Sequence, residues 1–424
     1  MILLIGVMLA MMMVGVPIAF AIGASAALYL IIGDAVPLMV IAQRMVVGVD
    51  SFTLLAIPLF LLGGALMAEG EITPKIMRFA SVLVGRIPGG LAMVLVVSCM
   101  LFGAISGSGV ADVVAIGSIV VPMMNKQGYK RPFTAALLGC AGSLGTIIPP
   151  SMVMVILGVT MGASIGKLFI GGIIPGILLG ICLMALSYYF ARRDKYPRGE
   201  RPTWTEVKAA FREALLPLGA PFLIVAGFRS GIFTATETGA VVALYALVLS
   251  AFVYRKLSLK SFLDVCYSVG ITSASVLLII SSASLFGWIL AADQIPQKVA
   301  GFILSISHSY WGILIMFNAL LLVLGTFMET IAVIIIIVPI FMPIMQQIGV
   351  DPIHLGVMIA VNLAIGANSP PLGVDLITAC KVTNTSYESS FPYVFPFLGA
   401  MITALAIIVA FPGLVTYLPN LLVR

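Results

Sequence analysis

The sequence predicts an all-α, polytopic membrane protein made of two repeats of opposite orientation. Hydrophobic residues make up 61% of its 424 residues and charged residues only 9%, whereas a soluble domain has about 25% charged residues. The mean hydropathy is +1.20, and apolar runs of about 20 residues, each long enough to span a bilayer, recur along the chain. The net charge of +6 comes from basic residues in short loops between these runs. That pattern is typical of cytoplasmic loops and not of a nucleic-acid surface.

One short stretch of sequence occurs twice, once in each half of the chain. Residues 145–151 (GTIIPPS) return as 366–372 (GANSPPL), and the Pro-Pro pair is displaced by 370 − 149 = 221 residues. Upstream, Pro122 and Pro343 are separated by the same interval, 343 − 122 = 221. A proline-interrupted apolar segment at the same place in two halves points to a secondary transporter and to its binding site.

The chain divides into two repeats joined by one hydrophilic segment. We expect the first repeat over residues 1–191 and the second over residues 214–424. Between them, residues 192–213 carry seven basic side chains. This segment predicts a cytoplasmic linker whose later part forms a surface helix.

Each repeat contains an apolar stretch whose two ends face the same side. Basic loops flank residues 91–124, which places both ends in the cytoplasm, whereas the weakly basic flanks of residues 311–345 place both ends in the periplasm. Each stretch therefore predicts a re-entrant helical hairpin, with its tip at 106–109 (SGSG) or at 325–330 (GTFMET). Like segments of opposite orientation form an inverted repeat. The alternative is two ordinary spans in each stretch.

A second apolar segment in each repeat, 133–165 and 354–385, contains the Pro-Pro pair and predicts a broken helix. Non-helical backbone at membrane depth is tolerated only where protein or a cavity satisfies it. Because proline has no N–H, each pair would leave the carbonyl groups four residues upstream without a donor. These are the carbonyl groups of Gly145, Thr146, Gly366 and Ala367.

Free carbonyl groups beside hydroxyl or amide oxygens suit a hard monovalent cation, and sodium is commonly coordinated by unwound backbone in transporters built this way. We therefore predict one sodium site in each half, between the hairpin tip and the adjacent break. Sodium would be the coupling ion, and no cofactor is expected. Simple helix packing by the small residues is the alternative. The first site consists of Ser106, Ser108, Gly145 and Thr146; the second consists of Gly325, Thr330, Gly366 and Asn368.

The hairpin tips and the breaks also present helix N-termini, whose positive dipole ends favour anions. An organic acid held between the two tips is therefore the predicted substrate. Carboxylates at membrane depth are functional candidates, which adds Glu329 and Asp375, whereas Asp112 is equally consistent with structural support of a helix N-terminus. The predicted substrate contacts are Ser106, Gly107, Ser108, Pro150, Glu329, Thr330, Pro371 and Asp375.

Several other motifs carry no chemistry in this context, so we predict that the protein is not an enzyme. Residues 162–166 (GASIG) fit the GxSxG pattern of serine hydrolases but lack its strand-turn-helix setting. His308 and His354 are too isolated for a metal site, and no P-loop motif for ATP hydrolysis occurs. Glu237 fits an N-terminal cap of the helix that it begins.

Five stretches spread along the chain resemble one transporter family. They are 88–90 (PGG), 105–116 (ISGSGVADVVAI), 145–151, 231–240 (GIFTATETGA) and 362–374 (NLAIGANSPPLGV). By these motifs the chain resembles, nearly end to end, the large membrane subunit (DctM type) of tripartite ATP-independent periplasmic transporters. One departure is Ser369, where the family more often has threonine; the hydroxyl is kept.

The resemblance implies a sodium-coupled importer of organic acids, commonly carboxylates or sugar acids, in the bacterial inner membrane. It implies two partners: a periplasmic solute-binding protein that delivers the substrate, and a small four-helix membrane subunit as a separate chain. It also implies an elevator mechanism. The hairpins and broken helices would form the mobile domain, and the spans outside 91–165 and 311–385 would form the scaffold and its connecting arms.

Two other classes of transport protein stay open at this point. A stand-alone sodium/dicarboxylate symporter with a related hairpin architecture would need no binding protein. An ion channel would neither depend strictly on a sodium gradient nor accumulate its substrate.

Overall fold

The structure is a computed structural model that describes residues 2–33, 36–70 and 72–422. Within these ranges the chain is helical, and the β-pairing is limited to an isolated bridge between Pro88 and Arg198. The all-helical fold predicted from composition is confirmed for this part of the chain.

The first half and the linker form helices α1 to α11. Their bounds are α1 Ile2–Met13, α2 Ile18–Gly33, α3 Met39–Val49, α4 Ala56–Glu69, α5 Thr73–Val84, α6 Gly90–Ser106, α7 Gly109–Lys126, α8 Arg131–Gly142, α9 Met152–Met161, α10 Ile165–Arg193 and α11 Trp204–Leu215.

The second half forms helices α12 to α21. Their bounds are α12 Gly219–Ser230, α13 Ala235–Val248, α14 Leu259–Ala292, α15 Ile295–Ile306, α16 Tyr310–Phe327, α17 Thr330–Gln347, α18 Pro352–Gly366, α19 Val374–Thr383, α20 Phe391–Ala410 and α21 Gly413–Leu422.

Eight of the described helices are long and apolar enough to cross a membrane, or nine if α11 and α12, which meet at a bend of 53°, count as one span. The remaining apolar helices, including α6, α9 and α18, are shorter. Short helices occur at the predicted breaks and in the first arm of the first hairpin, whereas α7, α16 and α17 of the hairpins are among the eight long helices.

Helix ends follow local capping chemistry. The Thr234 N–H donates to Glu237 Oε2 at 2.7 Å, and the Glu237 N–H donates to Thr234 Oγ1 at 3.3 Å. This capping box confirms the predicted role of Glu237 at the start of α13. The same reciprocal pair, Thr203 with Glu206, begins α11.

The two hairpin stretches each contain two helices joined by two residues. Gly107 and Ser108 join α6 to α7, and Met328 and Glu329 join α16 to α17. Gly107 has φ 66°, a left-handed conformation that glycine adopts without a steric penalty. The first chain reversal therefore depends on a residue without Cβ.

One group of packed helices comprises α1 to α4 and α12 to α14. Small residues let these helices approach closely: Ser250 Oγ donates to the Leu66 carbonyl at 2.7 Å, and Ser281 Oγ donates to the Met45 carbonyl at 2.8 Å. Close contacts through small residues are the usual means of packing helices inside a membrane.

The second group contains both hairpins, both broken helices, and also α10, α20 and α21. Phe133 of α8 lies 5.8 Å from Phe190 of α10 and 5.9 Å from Phe397 of α20, measured between ring centroids. Helices α10, α20 and α21, which were expected in the scaffold or its arms, therefore pack with the hairpins and the broken helices. Hydropathy did not reveal this packing. The hydropathy around an aromatic residue is the same whichever group of helices the ring packs against.

Candidate functional site

The first hairpin tip is built around a buried carboxylate. Ser108 is the N-cap of α7, and its hydroxyl accepts the Ala111 N–H at 3.5 Å. Ser106 Oγ donates to Asp112 Oδ1. Asp112 is 0% exposed, and its Oδ2 has no hydrogen-bond partner among the described residues.

The first break brings two glycines together. Residues Ser143–Thr146 form a 3-10 turn, and a Cβ built on Gly103 would lie 2.6 Å from the Gly145 Cα. A Cβ on Gly145 would meet Asp112 Oδ2. The carboxylate of Asp112 therefore lies against the crossing of α6 with the break, a contact that the sequence did not indicate.

The prediction that the break leaves the Thr146 carbonyl free is wrong. Ser151 Oγ donates to that carbonyl at 2.5 Å, and Thr146 Oγ1 donates to the Ser143 carbonyl at 2.7 Å. The serine that follows the Pro-Pro pair replaces the donor that proline removes. The tip is held to the break by a longer backbone hydrogen bond, from the Met152 N–H to the Gly107 carbonyl, at 3.4 Å.

The second hairpin tip repeats this construction with different side chains. Glu329 is the N-cap of α17, and its Oε2 accepts the Ala332 N–H at 3.4 Å. A Cβ built on Gly366 would lie 2.7 Å from the Gly325 Cα. The Leu372 N–H donates to the Thr326 carbonyl at 3.3 Å, which again ties the tip to the break.

The second break also supplies donors to the carbonyl groups that were expected to be free. The Gly366 carbonyl accepts the Ser369 N–H at 2.9 Å, and the Ala367 carbonyl accepts the Asp375 N–H at 2.9 Å. That part of the prediction is wrong as well. The first donor comes from a turn just before the Pro-Pro pair, and the second comes from beyond the pair, where the chain has turned back.

Two buried side chains of the second break face the first repeat. Asn368 Nδ2 donates to the Ala364 carbonyl at 3.0 Å, whereas its Oδ1 has no described partner and would lie 2.8 Å from a Cβ on Gly139 of α8. Asp375, at 4% exposure, places its unpartnered Oδ2 2.8 Å from the Cβ position of Gly109 in α7. Asn368 thus lies against α8, while Gly325 and Gly366, predicted for the same sodium site, meet each other.

A cavity of about 120 Å³ lies where both tips and both breaks meet. Of the predicted substrate contacts, five line it and three, Ser106, Pro150 and Pro371, do not. The five are Gly107, Ser108, Glu329, Thr330 and Asp375. Apolar residues that sequence reasoning missed complete the wall, among them Met152, Met328 and Val374. Their hydropathy does not distinguish them from lipid-facing residues.

The positive potential in the cavity comes from helix N-termini rather than from basic side chains. Four helices begin at its wall: α7, α9, α17 and α19. Helix N-termini carry unsatisfied N–H groups and the positive end of the dipole. None of the described lining residues is Lys, Arg or His, and two of them, Glu329 and Asp375, are acidic. An anion that enters therefore meets helix ends, hydroxyl groups and two carboxyl groups.

Residues 5–414 match the protein family described as "Tripartite ATP-independent periplasmic transporter, DctM component". The chain belongs to this family. As a DctM component with eight described apolar spans, it is a multi-pass protein of the inner membrane and a transporter subunit, not an enzyme.

Similar DctM components are found in several bacteria. The isethionate TRAP transporter permease protein DctMQ of Oleidesulfovibrio alaskensis is 40% identical over 95% of this chain, and this chain spans only 64% of that relative. The C4-dicarboxylate TRAP transporter large permease protein DctM of Rhodobacter capsulatus is 36% identical over 99% of both chains.

A solved structure shares the fold. The crystal structure of the Alcanivorax borkumensis YdaH transporter aligns with a TM-score of 0.65 over 89% of each chain, at 14% sequence identity. At this identity the likeness concerns the fold alone. The predicted fold class, a helical transporter with two inverted repeats and elevator-type architecture, is in agreement with this likeness.

Proposed function

We propose that this DctM component forms the permease of a sodium-coupled importer of organic acids such as carboxylates or sugar acids. The observation that carries the proposal is the cavity between the tips, where four helices begin and no described lining residue is basic. Helix N-termini and hydroxyl groups suit a carboxylate or a similar acid group. Relatives named for isethionate and for C4-dicarboxylates support an organic anion as the substrate class.

Sodium is proposed as the coupling ion because acidic groups would otherwise oppose an anionic substrate. Asp112 is fully buried and has one oxygen without a donor. An ionised carboxylate in a membrane protein needs an opposite charge or a full set of donors. A sodium ion beside Ser106, Ser108 and Gly145 would supply that charge. In the second half, Gly325, Gly366 and Thr330 offer neutral oxygens near the cavity, and Asn368 would have to turn from α8 to join them.

The family description supports two partners, a periplasmic solute-binding protein and a small four-helix membrane subunit. The two packed groups of helices support an elevator mechanism. In that mechanism the hairpins, the breaks, α10, α20 and α21 would move as one body against α1 to α4 and α12 to α14.

Uptake of labelled organic acids into proteoliposomes tests this proposal. The liposomes contain the chain, its small membrane partner and the candidate binding protein, with or without an inward sodium gradient. We expect accumulation only when both sodium and the binding protein are present. Sodium-driven uptake without the binding protein would instead indicate a stand-alone symporter. Movement only down the substrate gradient and independent of sodium would indicate a channel.

Two alanine substitutions test the site assignment. Ser108→Ala and Asn368→Ala should raise the sodium concentration needed for half-maximal uptake while leaving folded protein in the membrane. Ser118→Ala and Asn125→Ala change the same residue types at exposed positions of α7 and should leave sodium activation unchanged. Unaltered sodium activation in both site variants would contradict the assignment.

A further inference from the structure

Helix α11 carries a row of exposed apolar side chains beside a row of basic ones. Trp204, Phe211 and Leu215 are 79%, 55% and 58% exposed, and their spacings of seven and four residues place them on one side of the helix. Lys208 and Arg212, also exposed and four residues apart, lie next to that row. The linker therefore presents an amphipathic surface to its surroundings.

Helix α11 is fixed to the protein by its contacts with α5, so that this surface has a defined orientation. Ala210 and Ala214 are buried. Glu213 forms an ion pair with Arg78 of α5 at 2.6 Å between Oε1 and Nη1, and the ring centroids of Phe211 and Phe79 lie 6.1 Å apart. Helix α11 is thus attached to α5, which packs in turn on α6 of the first hairpin.

The position of α11 along the chain places it at the cytoplasmic surface of the membrane. The chain bends by 53° into α12, and the linker before the bend carries the basic residues typical of cytoplasmic loops. A helix at this level with aromatic and basic side chains exposed together matches an interfacial helix, whose apolar side enters the boundary between headgroups and acyl chains.

A shallow groove on this surface has the chemistry of a phosphate site. Its wall is formed by Thr205, Lys208, Ala209, Arg212 and Glu213. Glu213 is engaged by Arg78, and no ion pair of Lys208 or Arg212 forms among the described residues. Two cations one turn apart and a hydroxyl group one turn before them suit the oxygens of a phosphate group.

We propose that α11 binds an anionic phospholipid of the cytoplasmic leaflet. The phosphate of the headgroup would lie against Thr205, Lys208 and Arg212, and the first part of the acyl chains would contact Trp204 and Leu215. Each basic residue near an anionic membrane surface contributes favourably to such binding. Because α11 is fixed to α5, the bound lipid holds the helix that precedes the first hairpin.

Quenching of Trp204 fluorescence tests the proposal independently of transport. The chain has three tryptophans, so the variant Trp288→Phe/Trp311→Phe leaves Trp204 as the reporter. The purified full-length chain is titrated with phosphatidylglycerol or phosphatidylcholine whose acyl chains carry bromine. We expect half-maximal quenching at about tenfold lower content of phosphatidylglycerol than of phosphatidylcholine, from two basic residues. Lys208→Gln/Arg212→Gln should remove this preference.

A matched pair of substitutions in the same linker separates a site from general charge. Lys195→Gln/Arg198→Gln removes the same charge outside α11 and should keep the preference. The proposal would be overturned by equal quenching by both lipids or by no quenching by either. It would also be overturned if the two double variants lost the preference for phosphatidylglycerol to the same extent. Trp288 also stacks under Arg44. If its replacement prevents folding, native mass spectrometry of the otherwise unsubstituted chain replaces quenching, with the same expectation for retained phosphatidylglycerol.

Discussion

The two hairpin tips share their backbone construction and differ in where they place charge. Ser108 and Glu329 are equivalent positions, 329 − 108 = 221, and both cap a helix by accepting the N–H of an equivalent alanine, Ala111 or Ala332. In the second tip the carboxylate is therefore the cap itself and lines the cavity. In the first tip the cap is neutral.

One turn further along the helix, the carboxylate belongs to the first half and the neutral side chain to the second. Asp112 lies against the glycine crossing of the first half, whereas its counterpart, at 112 + 221 = 333, is the buried Val333. The second half instead has an amide pair: Asn362 Nδ2 donates to Asn318 Oδ1 at 3.0 Å and to the Asn318 carbonyl at 3.1 Å. The comparison teaches that the repeat preserves the backbone framework, while side chains give each half its own charge.

The glycine crossings provide the test with the largest expected effect. Gly366→Ala would place Cβ 2.7 Å from Cα and 2.8 Å from the carbonyl carbon of Gly325, both backbone atoms. Gly145→Ala would chiefly meet the Asp112 carboxylate, which can rotate. We expect Gly366→Ala to abolish transport and to lower the free energy of unfolding by about 1–3 kcal/mol or more, with a smaller loss for Gly145→Ala. Thermal unfolding of the purified variants measures the difference.

The control for the crossings is Gly399→Ala. Gly399 lies in α20 with open space around its Cβ position, so this variant should unfold like the unsubstituted chain. The comparison between the halves fails if Gly145→Ala is as damaging as Gly366→Ala.

The charge of the first half provides the next test. Asp112→Asn keeps the shape of the side chain but removes the negative charge beside the proposed sodium site. We expect the sodium concentration for half-maximal uptake to rise about tenfold or more, because interactions with a charged group contribute about 1.5–3 kcal/mol. Asp264→Asn, at an exposed carboxylate of α14, should change nothing. Normal sodium activation in Asp112→Asn would separate this carboxylate from cation binding.

The amide pair of the second half should affect stability more than transport, because neither residue lines the cavity. Asn362→Leu leaves the buried Asn318 Oδ1 without the donor described above, and we expect a loss of about 1–3 kcal/mol in the free energy of unfolding. Asn318→Leu/Asn362→Leu removes both partners and should recover part of that loss. Additive losses in the double variant, measured by denaturant unfolding, would argue against a coupled pair.

The smallest effect is expected at the end of α10, where the first repeat joins the linker. Asp194 pairs with Lys130 at 3.1 Å and with Arg193 at 3.2 Å. Burial alone would raise the pKa of Asp194, but the hydrogen bonds from Arg193 and Lys130 outweigh it and hold the pKa below its ordinary value. The ion pair therefore stabilises the fold above the ordinary pKa of aspartate, and this contribution is lost as the pH falls through the lowered value.

Asp194→Asn should lower the unfolding temperature slightly at neutral pH and low salt. The difference should shrink at high salt, because the pair is largely exposed on the lysine side, and it should vanish at a pH below the lowered pKa. A difference that is independent of salt and pH would indicate that packing, not charge, is responsible.

Much of the site framework was predictable from local sequence, but its hydrogen bonding was not. The two Pro-Pro pairs and the Ser-Gly-Ser-Gly tip identified the elements that meet at the cavity. The partners of Thr146 and Ala367 were missed, because Ser151 and Asp375 reach back across the break only after the chain has turned. The partner of Gly366 was missed because a local turn brings the Ser369 N–H to it before the Pro-Pro pair. The prediction treated each break as a helix with missing donors, whereas the fold replaces those donors.

The sequence alone determined the repeated membrane segments, the position of each break and the membership of the DctM family. These properties depend on hydropathy, on the missing N–H of proline and on motifs contiguous in the chain. Only the tertiary structure decided that α10 and α20 pack with the hairpins, that Asn368 faces α8 and that Asp112 lies against Gly145. Those outcomes depend on contacts between residues distant in sequence. Whether a buried oxygen has a hydrogen-bond donor is determined by the helix that packs beside it.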